Sequence, residues 1–373
     1  MIISRTPFRI SFFGGGTDYP AWYRDHGGSV LAASINRYCY FTCRFLPPFF
    51  EHKIRIVWSK IELVNAASEV LHPLIREVIG HLGIEEGVEI HHQGDLPARS
   101  GLGSSSAAAV GILNALHALR GTMMSKYALA REAIYLEQEV LKENVGVQDQ
   151  IQTAFGGFNR IDVAPDGSFT VRPIVVDESR LREFEMHLIL LYTGVSRHAS
   201  EIAGEQIRAI ASKQAELREM MRTVEYGVDI LVGGGDLTDF GRMLHEAWLI
   251  KRRLSDRIAP GFVNDIYDRA IRAGALGGKL LGAGGGGFML FFVRPEDHIS
   301  VLHALSELLV VPIEFDRGGS QIIFYDPPRY SRTAHTRRDY QRYMADSDAN
   351  KLGEPKVQAG ADATPPRERI IGH

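Results

Sequence analysis

Residues 97–108 read Pro-Ala-Arg-Ser-Gly-Leu-Gly-Ser-Ser-Ser-Ala-Ala and lead into an almost wholly apolar stretch that ends at Leu119. A helix over Ser104–Leu119 has no polar face to offer to water, so it has to lie inside the protein. Its first turn is then a buried helix N-terminus, with unpaired N–H groups and a partial positive charge, which suits phosphate. Gly101 and Gly103 let the backbone come close to a ligand. The hydroxyls of Ser104, Ser105 and Ser106 add donors and a metal ligand, and at a buried helix start they need partners. The cradle expected here comprises Gly101, Leu102, Gly103, Ser104, Ser105 and Ser106. It is not a Walker A loop, because no Gly-Lys-Ser/Thr follows the glycines. It is not a dinucleotide fingerprint either, since the spacing differs and no strand runs straight into Gly101. A mere tight loop feeding a packed helix would leave three serines unexplained.

Two other segments stand out. Lys279 to Phe288 holds four consecutive glycines, residues 284–287, between apolar strand-like flanks. A hairpin turn needs one or two glycines. The excess, at Gly284, Gly285 and Gly286, points to backbone packed against another loop or a ligand, and the flanks are unlike a polar linker. Arg5 to Tyr19 places Arg9 on a strand and Asp18 in the glycine turn beyond it. Taken alone, that segment also fits an ordinary edge strand.

The chain has 373 residues, enough for two lobes around a cleft, and 45% hydrophobic with 23% charged residues is an ordinary globular balance. A formal net charge of -3 argues against a nucleic-acid binder. There is no signal-like apolar run at the N-terminus and no stretch near the roughly 20 apolar residues of a membrane span. The reading is a cytoplasmic protein that meets soluble metabolites. Cys39 and Cys43 lie four apart on one strand, facing the same side and out of disulfide reach, so they read as reduced buried thiols. His91 and His92 face opposite sides of a strand and cannot share a metal.

Periodicity places strands at Ile2–Phe13, Val30–Ile35, Tyr38–Phe45, Ile54–Trp58 and Val88–His92. Helices are expected over Glu69–Leu82, Ser104–Leu119, Ser125–Leu141 with Ser125 as N-cap, and Val147–Ala154. The second half reads as strand Met186–Tyr192, then helices His198–Tyr226, Leu237–Leu254 and Gly261–Ala273. Strands Gly277–Leu281 and Phe288–Val293, helix Pro295–Leu309 and strands Val310–Phe315 and Ser320–Tyr325 close it. Strand groups followed by helix runs suggest an α+β fold. Beyond Pro327-Pro328 the chain reads as a polar tail, partly ordered to about Met344 and disordered after it, by its composition. The basic stretch Arg329 to Arg342 reads as solvated.

The three glycine-bearing segments, in this order, resemble the GHMP kinases, the superfamily of galactokinase, homoserine kinase, mevalonate kinase and phosphomevalonate kinase. The resemblance runs over roughly residues 3–325. It implies a two-lobed α+β fold, with an N-terminal half like domain 2 of ribosomal protein S5 and a ferredoxin-like C-terminal half. The expected division is 1–185 for the ATP-binding domain, 186–327 for the C-terminal domain and 328–373 for the tail. The start Thr6-Pro7-Phe8-Arg9-Ile10-Ser11, with Gly14-Gly15-Gly16-Thr17-Asp18, is similar to the D-glycero-D-manno-heptose 7-phosphate kinase branch. So is Val145 to Gln150 ahead of Phe155-Gly156-Gly157. That branch phosphorylates the anomeric hydroxyl to a 1,7-bisphosphate used for activated heptose and surface glycans. The same start resembles fucokinase-type domains.

The resemblance implies ATP and Mg2+ as cofactors and a sugar or sugar phosphate as partner, with neither nucleic acid nor membrane, and leaves a homodimer open. It makes Asp149 the catalytic carboxylate and Arg9 the cation beside it, there to keep it ionised and to steady a developing alkoxide. Ser105 and Glu137 become the metal pair, while Glu139, two residues on, faces elsewhere. Gly16, Thr17 and Asp18 match the sugar-contacting turn. Gly15 and Gly16 replace the glutamate and histidine of galactokinases, which implies a roomier pocket. A phosphorylated substrate would need a cation, from among Arg5, Arg99, Arg197, His198 and Lys251. Trp58 and Ser59 fall where the family holds adenine, with apolar packing an equal reading for Trp58. Besides the heptose phosphate reading, two others remain: a kinase for L-fucose or another free hexose, and a non-catalytic sugar sensor. The full set Arg9, Ser105, Glu137 and Asp149 speaks against the sensor.

Overall fold

The computed structural model describes residues 1–327 apart from Pro48, Arg99 and 196–198. Among the described residues two sheets carry the fold. The first holds β1 (Ile2–Phe13), β2 (Gly28–Phe45), β3 (Ile54–Val57), β4 (Ile61–Val64), β5 (Val88–Gly94), β6 (Phe158–Val163) and β7 (Phe169–Pro173). The second holds β8 (Leu188–Tyr192), β9 (Ala275–Leu280), β10 (Phe288–Val293) and β11 (Leu309–Val310), in the order β11-β8-β10-β9. The last strand, β12 (Gln321–Tyr325), returns to the first sheet and pairs antiparallel with β1. β1 and β2 run antiparallel from Ile2↔Cys43 to Phe13↔Leu31, with a register shift after Pro7. β2 is one strand where the sequence suggested two. It forks, pairing β5 through residues 39–45 and β6 through 28–33.

The helices are α1 (Pro20–His26), α2 (Pro73–His81), α3 (Ser104–Leu119), α4 (Lys126–Tyr135), α5 (Gln148–Phe155), α6 (Glu178–Met186), α7 (Ala199–Ala209), α8 (Gln214–Val232), α9 (Thr238–Arg252), α10 (Gly261–Arg272) and α11 (His298–Ala304). α3 is buried along almost its whole length, as its composition requires. Small residues let it lie directly on the sheet. A Cβ on Gly111 would stand 3.0 Å from Thr6 Oγ1 and 3.2 Å from the Phe41 ring, and Ser4 Oγ donates to Gly111 O at 2.8 Å. Phe12, Phe184, Phe240 and Phe292 interlock between the two sheets, with Phe12 at 5.6 Å from Phe184 and 5.5 Å from Phe240. The functional end of β1 is therefore seated on a rigid aromatic core.

Several expectations change. The single helix expected over His198–Tyr226 is two, α7 and α8, joined by a short 3-10 turn at Ile210–Ser212. Its start at His198 lies outside the described residues. The helix expected to Leu141 ends at Tyr135 and widens into a π-helical turn, Leu136–Val140. Ser125 does cap it, accepting from Ala128 N at 3.1 Å. Of the strand expected over Val310–Phe315 only Val310 is in β11, which starts at Leu309 where a helix was expected, and Phe315 makes a bridge to Ile35. Cys39 and Cys43 are free and buried, and burial pushes both thiols well above their ordinary range. No helix among the described residues is long and apolar enough to cross a membrane. The tail expectations fall outside the described residues.

Candidate active site

α3 begins immediately after a loop with no slack. Gly101 (φ +86°) and Gly103 (φ +71°) adopt left-handed backbone. Leu102 is fully buried, and its carbonyl accepts from Arg9 N at 3.0 Å, which straps the loop to β1. The helix ladder starts with Ala107 N donating to Gly103 O at 2.8 Å, and no side chain caps Gly103. The amides of Ser105 and Ser106 precede that ladder, as an anion cradle requires. Ser105 is exposed and Ser106 is buried.

The glycine run packs against this loop, backbone on backbone. A Cβ on Gly282 would fall 2.5 Å from Gly101 Cα, and one on Gly287 would fall 2.3 Å from Ser100 O. Phe288 N donates to Ser100 O at 3.2 Å. Gly284 abuts Ile258 and Gly286 abuts Val195, while Gly285 N donates to Ile258 O at 3.0 Å. The excess of glycine thus lets two loops from distant parts of the chain touch.

Arg9 and Asp149 meet across 140 residues. Arg9 Nε donates to Asp149 Oδ1 at 2.7 Å and Nη2 to Oδ2 at 2.5 Å, a bidentate fork. The remaining arm, Nη1, donates to Gly101 O at 2.7 Å. A Cβ on Gly103 would lie 3.1 Å from Arg9 Cγ and 3.4 Å from Asp149 Oδ2. The guanidinium therefore ties the carboxylate at the start of α5 to the phosphate loop.

Glu137 lies in the π-helical turn and is wholly buried. A widened turn of this kind shifts the side-chain register and is common at functional sites. Its carboxylate accepts from Ser105 Oγ at 2.7 Å, Ser106 Oγ at 2.6 Å and Gln150 Nε2 at 2.5 Å. Burial pushes its pKa up to about 7, against the pull of those three hydrogen bonds. Glu139 is exposed and pairs with Lys142 at 3.3 Å. Ser105 Oγ and Glu137 Oε1 are close enough to reach one Mg2+, which prefers oxygen ligands and keeps several waters, so the donor set fits that ion.

Asp18 is buried at the start of α5. Its carboxylate accepts from Gly16 N at 2.9 Å and from Gln148 N and Nε2, each at 3.2 Å. Burial pushes its pKa up, opposed by the Gly16 and Gln148 amides and reinforced by Asp149. A Cβ on Gly146 would strike Asp18 Oδ2 at 1.9 Å, so glycine is required there. Thr17 presents nothing outward. Its hydroxyl donates to Gly14 O and Ser29 O and accepts from Ser29 N, so it holds the turn rather than a ligand. Gly16 (φ +105°) faces α8 through Leu217.

Of the five cations considered for a substrate phosphate, Arg99, Arg197 and His198 lie outside the described residues. Arg5 donates to Gln321 Oε1 at 3.0 Å and caps the Tyr38 ring, about 13 Å along β1 from Arg9. Lys251 is buried, and its ammonium donates to Gly282 O at 2.6 Å and Leu280 O at 3.3 Å. Trp58 packs edge-on to His72 at 4.8 Å and donates to Glu62 at 2.7 Å, and Ser59 is exposed. His91 turns to Glu89 at 2.7 Å and His92 stacks on Phe41 at 4.6 Å, and no metal-ligating group of three occurs among the described residues. Sequence reasoning missed Gln148 and Gln150, which flank Asp149 and serve Asp18 and Glu137, and it missed Lys279. A lysine set between apolar strand residues was the available signal.

A helix start with free amides, a bidentate arginine–carboxylate pair and a buried carboxylate beside two serines are the parts that a phosphotransferase site would need. The family described as GHMP kinases N terminal domain matches residues 63–157, and GHMP kinases C terminal matches residues 212–310, together about half of the chain. The chain belongs to the GHMP kinase family, and it is an ATP-dependent sugar kinase. It is 27% identical over 319 residues to D-glycero-alpha-D-manno-heptose 7-phosphate kinase of Campylobacter jejuni, covering 82% of this chain and 93% of that one. It is 25% identical to L-fucokinase/L-fucose-1-P guanylyltransferase of Bacteroides fragilis, covering 82% of this chain and 36% of that one. A crystal structure of a D-glycero-D-manno-heptose 1-phosphate kinase from Bacteroides thetaiotaomicron superposes with a TM-score of 0.71 at 25% identity, covering 87% of this chain and 99% of that one.

Proposed function

We propose that the enzyme transfers the γ-phosphoryl group of ATP to the anomeric C1 hydroxyl of D-glycero-D-manno-heptose 7-phosphate, yielding the 1,7-bisphosphate. The observation that carries this is the Arg9–Asp149 fork strapped to Gly101 of the phosphate loop. It stations a carboxylate beside the cradle, where it accepts the proton of the attacking hydroxyl. The triphosphate takes the amides of Gly101, Leu102, Gly103, Ser104, Ser105 and Ser106, and Arg9 supplies positive charge at the transferring group. Ser105 and Glu137 would hold Mg2+, which would supply positive charge to offset that of the phosphate oxygens. Asp18 and the Gly16 turn contact the sugar. Nearly full-length similarity to the Campylobacter heptose 7-phosphate kinase supports the choice of sugar.

The same fold and site would serve L-fucose, and similarity to the fucokinase part of a longer protein favours that as the second reading. Purified enzyme with ATP and Mg2+ is to be offered heptose 7-phosphate, heptose 1-phosphate, L-fucose and galactose, with products read by 31P NMR. A new C1 phosphate on the 7-phosphate is the expected result. Turnover of L-fucose with none of the heptose phosphate would overturn the assignment.

A further inference from the structure

Lys251 and Lys279 are both buried in the C-terminal half, and neither has an ion-pair partner among the described residues. A buried ammonium without a carboxylate is costly and calls for a physical reason. Lys251, near the end of α9, donates to the carbonyls of Leu280 and Gly282. Lys279, on β9, donates to Ser11 O at 2.8 Å and Phe12 O at 2.9 Å, just before the turn that holds Asp18. Gly282 in turn lies against Gly101, which accepts from Arg9. The chain of contacts runs from Lys251 through Gly282 and Gly101 to Arg9 and Asp149.

The charges do not balance around these contacts. Arg9, Lys251 and Lys279 act on one another, while Asp18 and Asp149 are the carboxylates that act on Lys251. Burial, then Arg9, pull the Lys251 pKa down to about 8, against Asp18 and Asp149. Burial also pushes the Asp18 pKa up, which thins the negative side further. Burial, then Lys251 and Arg9, pull the Lys279 pKa well down, so the cations that count are Arg9 and Lys251; they face Asp149 and an Asp18 whose ionised form burial disfavours, which leaves the positive side ahead beside this loop. Bound polyphosphate is what would offset it.

We propose that Lys251 is a further positioning residue of the phosphoryl-transfer site. Its ammonium fixes the glycine loop against the phosphate loop and adds a positive charge behind it that the nucleotide's polyphosphate offsets on binding. This rests on the kinase reading of the site but not on which sugar it takes.

The test reads nucleotide binding directly. A non-hydrolysable ATP analogue with Mg2+ is titrated calorimetrically into the wild type, Lys251→Met and Lys251→Arg, with thermal melts of all three. Methionine fills the site without charge; removal of an unpaired buried charge and loss of the donor to the Leu280 and Gly282 carbonyls act in opposite directions, so Lys251→Met is expected to melt close to the wild-type temperature. It should nevertheless bind the analogue about tenfold more weakly, through loss of one positive charge acting across the loop and of the loop's anchor. Lys251→Arg keeps the charge and should recover most of the affinity. Wild-type affinity in Lys251→Met would overturn the inference and leave the kinase reading standing. So would equal losses in both variants together with lowered melting temperatures, which mark a purely structural lysine. Failure of the wild type itself to bind the analogue would overturn the inference and the kinase reading alike.

Discussion

Asp149→Asn isolates the chemistry from the architecture. Asparagine has nearly the same shape, so Oδ1 can still accept from Arg9 Nε, now at 2.7 Å, while the Oδ2 acceptor of Nη2 becomes an N–H2 group. The Arg9 side chain is 4% exposed and that of Asp149 is 25% exposed, so the pair is only partly shielded from water. Loss of one charged arm should then lower stability by about 2 kcal/mol, below the about 3–5 kcal/mol for breaking a fully buried pair. The effect on rate is larger. A positioned acid–base group contributes about 10²- to 10⁴-fold, equivalent to about 3–5 kcal/mol of barrier. kcat should fall by that factor, while the KM for ATP moves much less, because the triphosphate contacts lie on Gly101 to Ser106. ADP release with saturating sugar phosphate, alongside a thermal melt, gives both numbers. A variant that kept kcat within about threefold of wild type would refute proton acceptance by Asp149, given the size such groups contribute.

Gly101→Ala should be poorly tolerated: its Cβ would meet Leu281 O at 2.5 Å in a left-handed backbone, so the melt should drop and the KM for ATP should rise together. Glu137 gives a pH signature: its pKa rises from 4.5 to about 7 on folding, so its contribution is full below about pH 4.5 and is lost as pH climbs through 7. The whole span is about 3 kcal/mol. Mg2+ favours the ionised form, so the melting shift produced by MgATP should be larger at pH 8 than at pH 6, and Glu137→Gln should flatten that difference. Cys39 and Cys43, buried and with thiols pushed up, should resist a thiol reagent in the native enzyme and react only after unfolding. Rapid labelling of either in the folded protein would contradict the packing described.

Legibility in the sequence followed the range of the physics. The stretch Ser100 to Leu119 announced itself because glycine conformation, helix-end polarity and burial are set within a few residues. The glycine run at 284–287 was readable as a close approach of backbones, although nothing local said that its partners were Ile258, Val195 and Ser100. The Gly16–Asp18 segment was readable as a glycine turn, but the burden on Thr17 was not, since two of its three partner atoms belong to Ser29, twelve residues away. The widened turn at Leu136–Val140 escaped because its residues are good helix formers and the shift serves Glu137's distant hydroxyl partners.

By itself, the sequence determined the local devices: a buried helix start with glycines before it, a turn without side chains, a strand that bears a cation, and two inert thiols. Only the tertiary structure decided which of them meet. Arg9 finds Asp149, Glu137 finds Ser105 and Ser106, and Lys251 and Lys279 lose their water and hold carbonyls instead. A side chain's partner and its hydration are properties of the packed chain, since residues far apart in sequence meet only after two sheets have closed on their aromatic core.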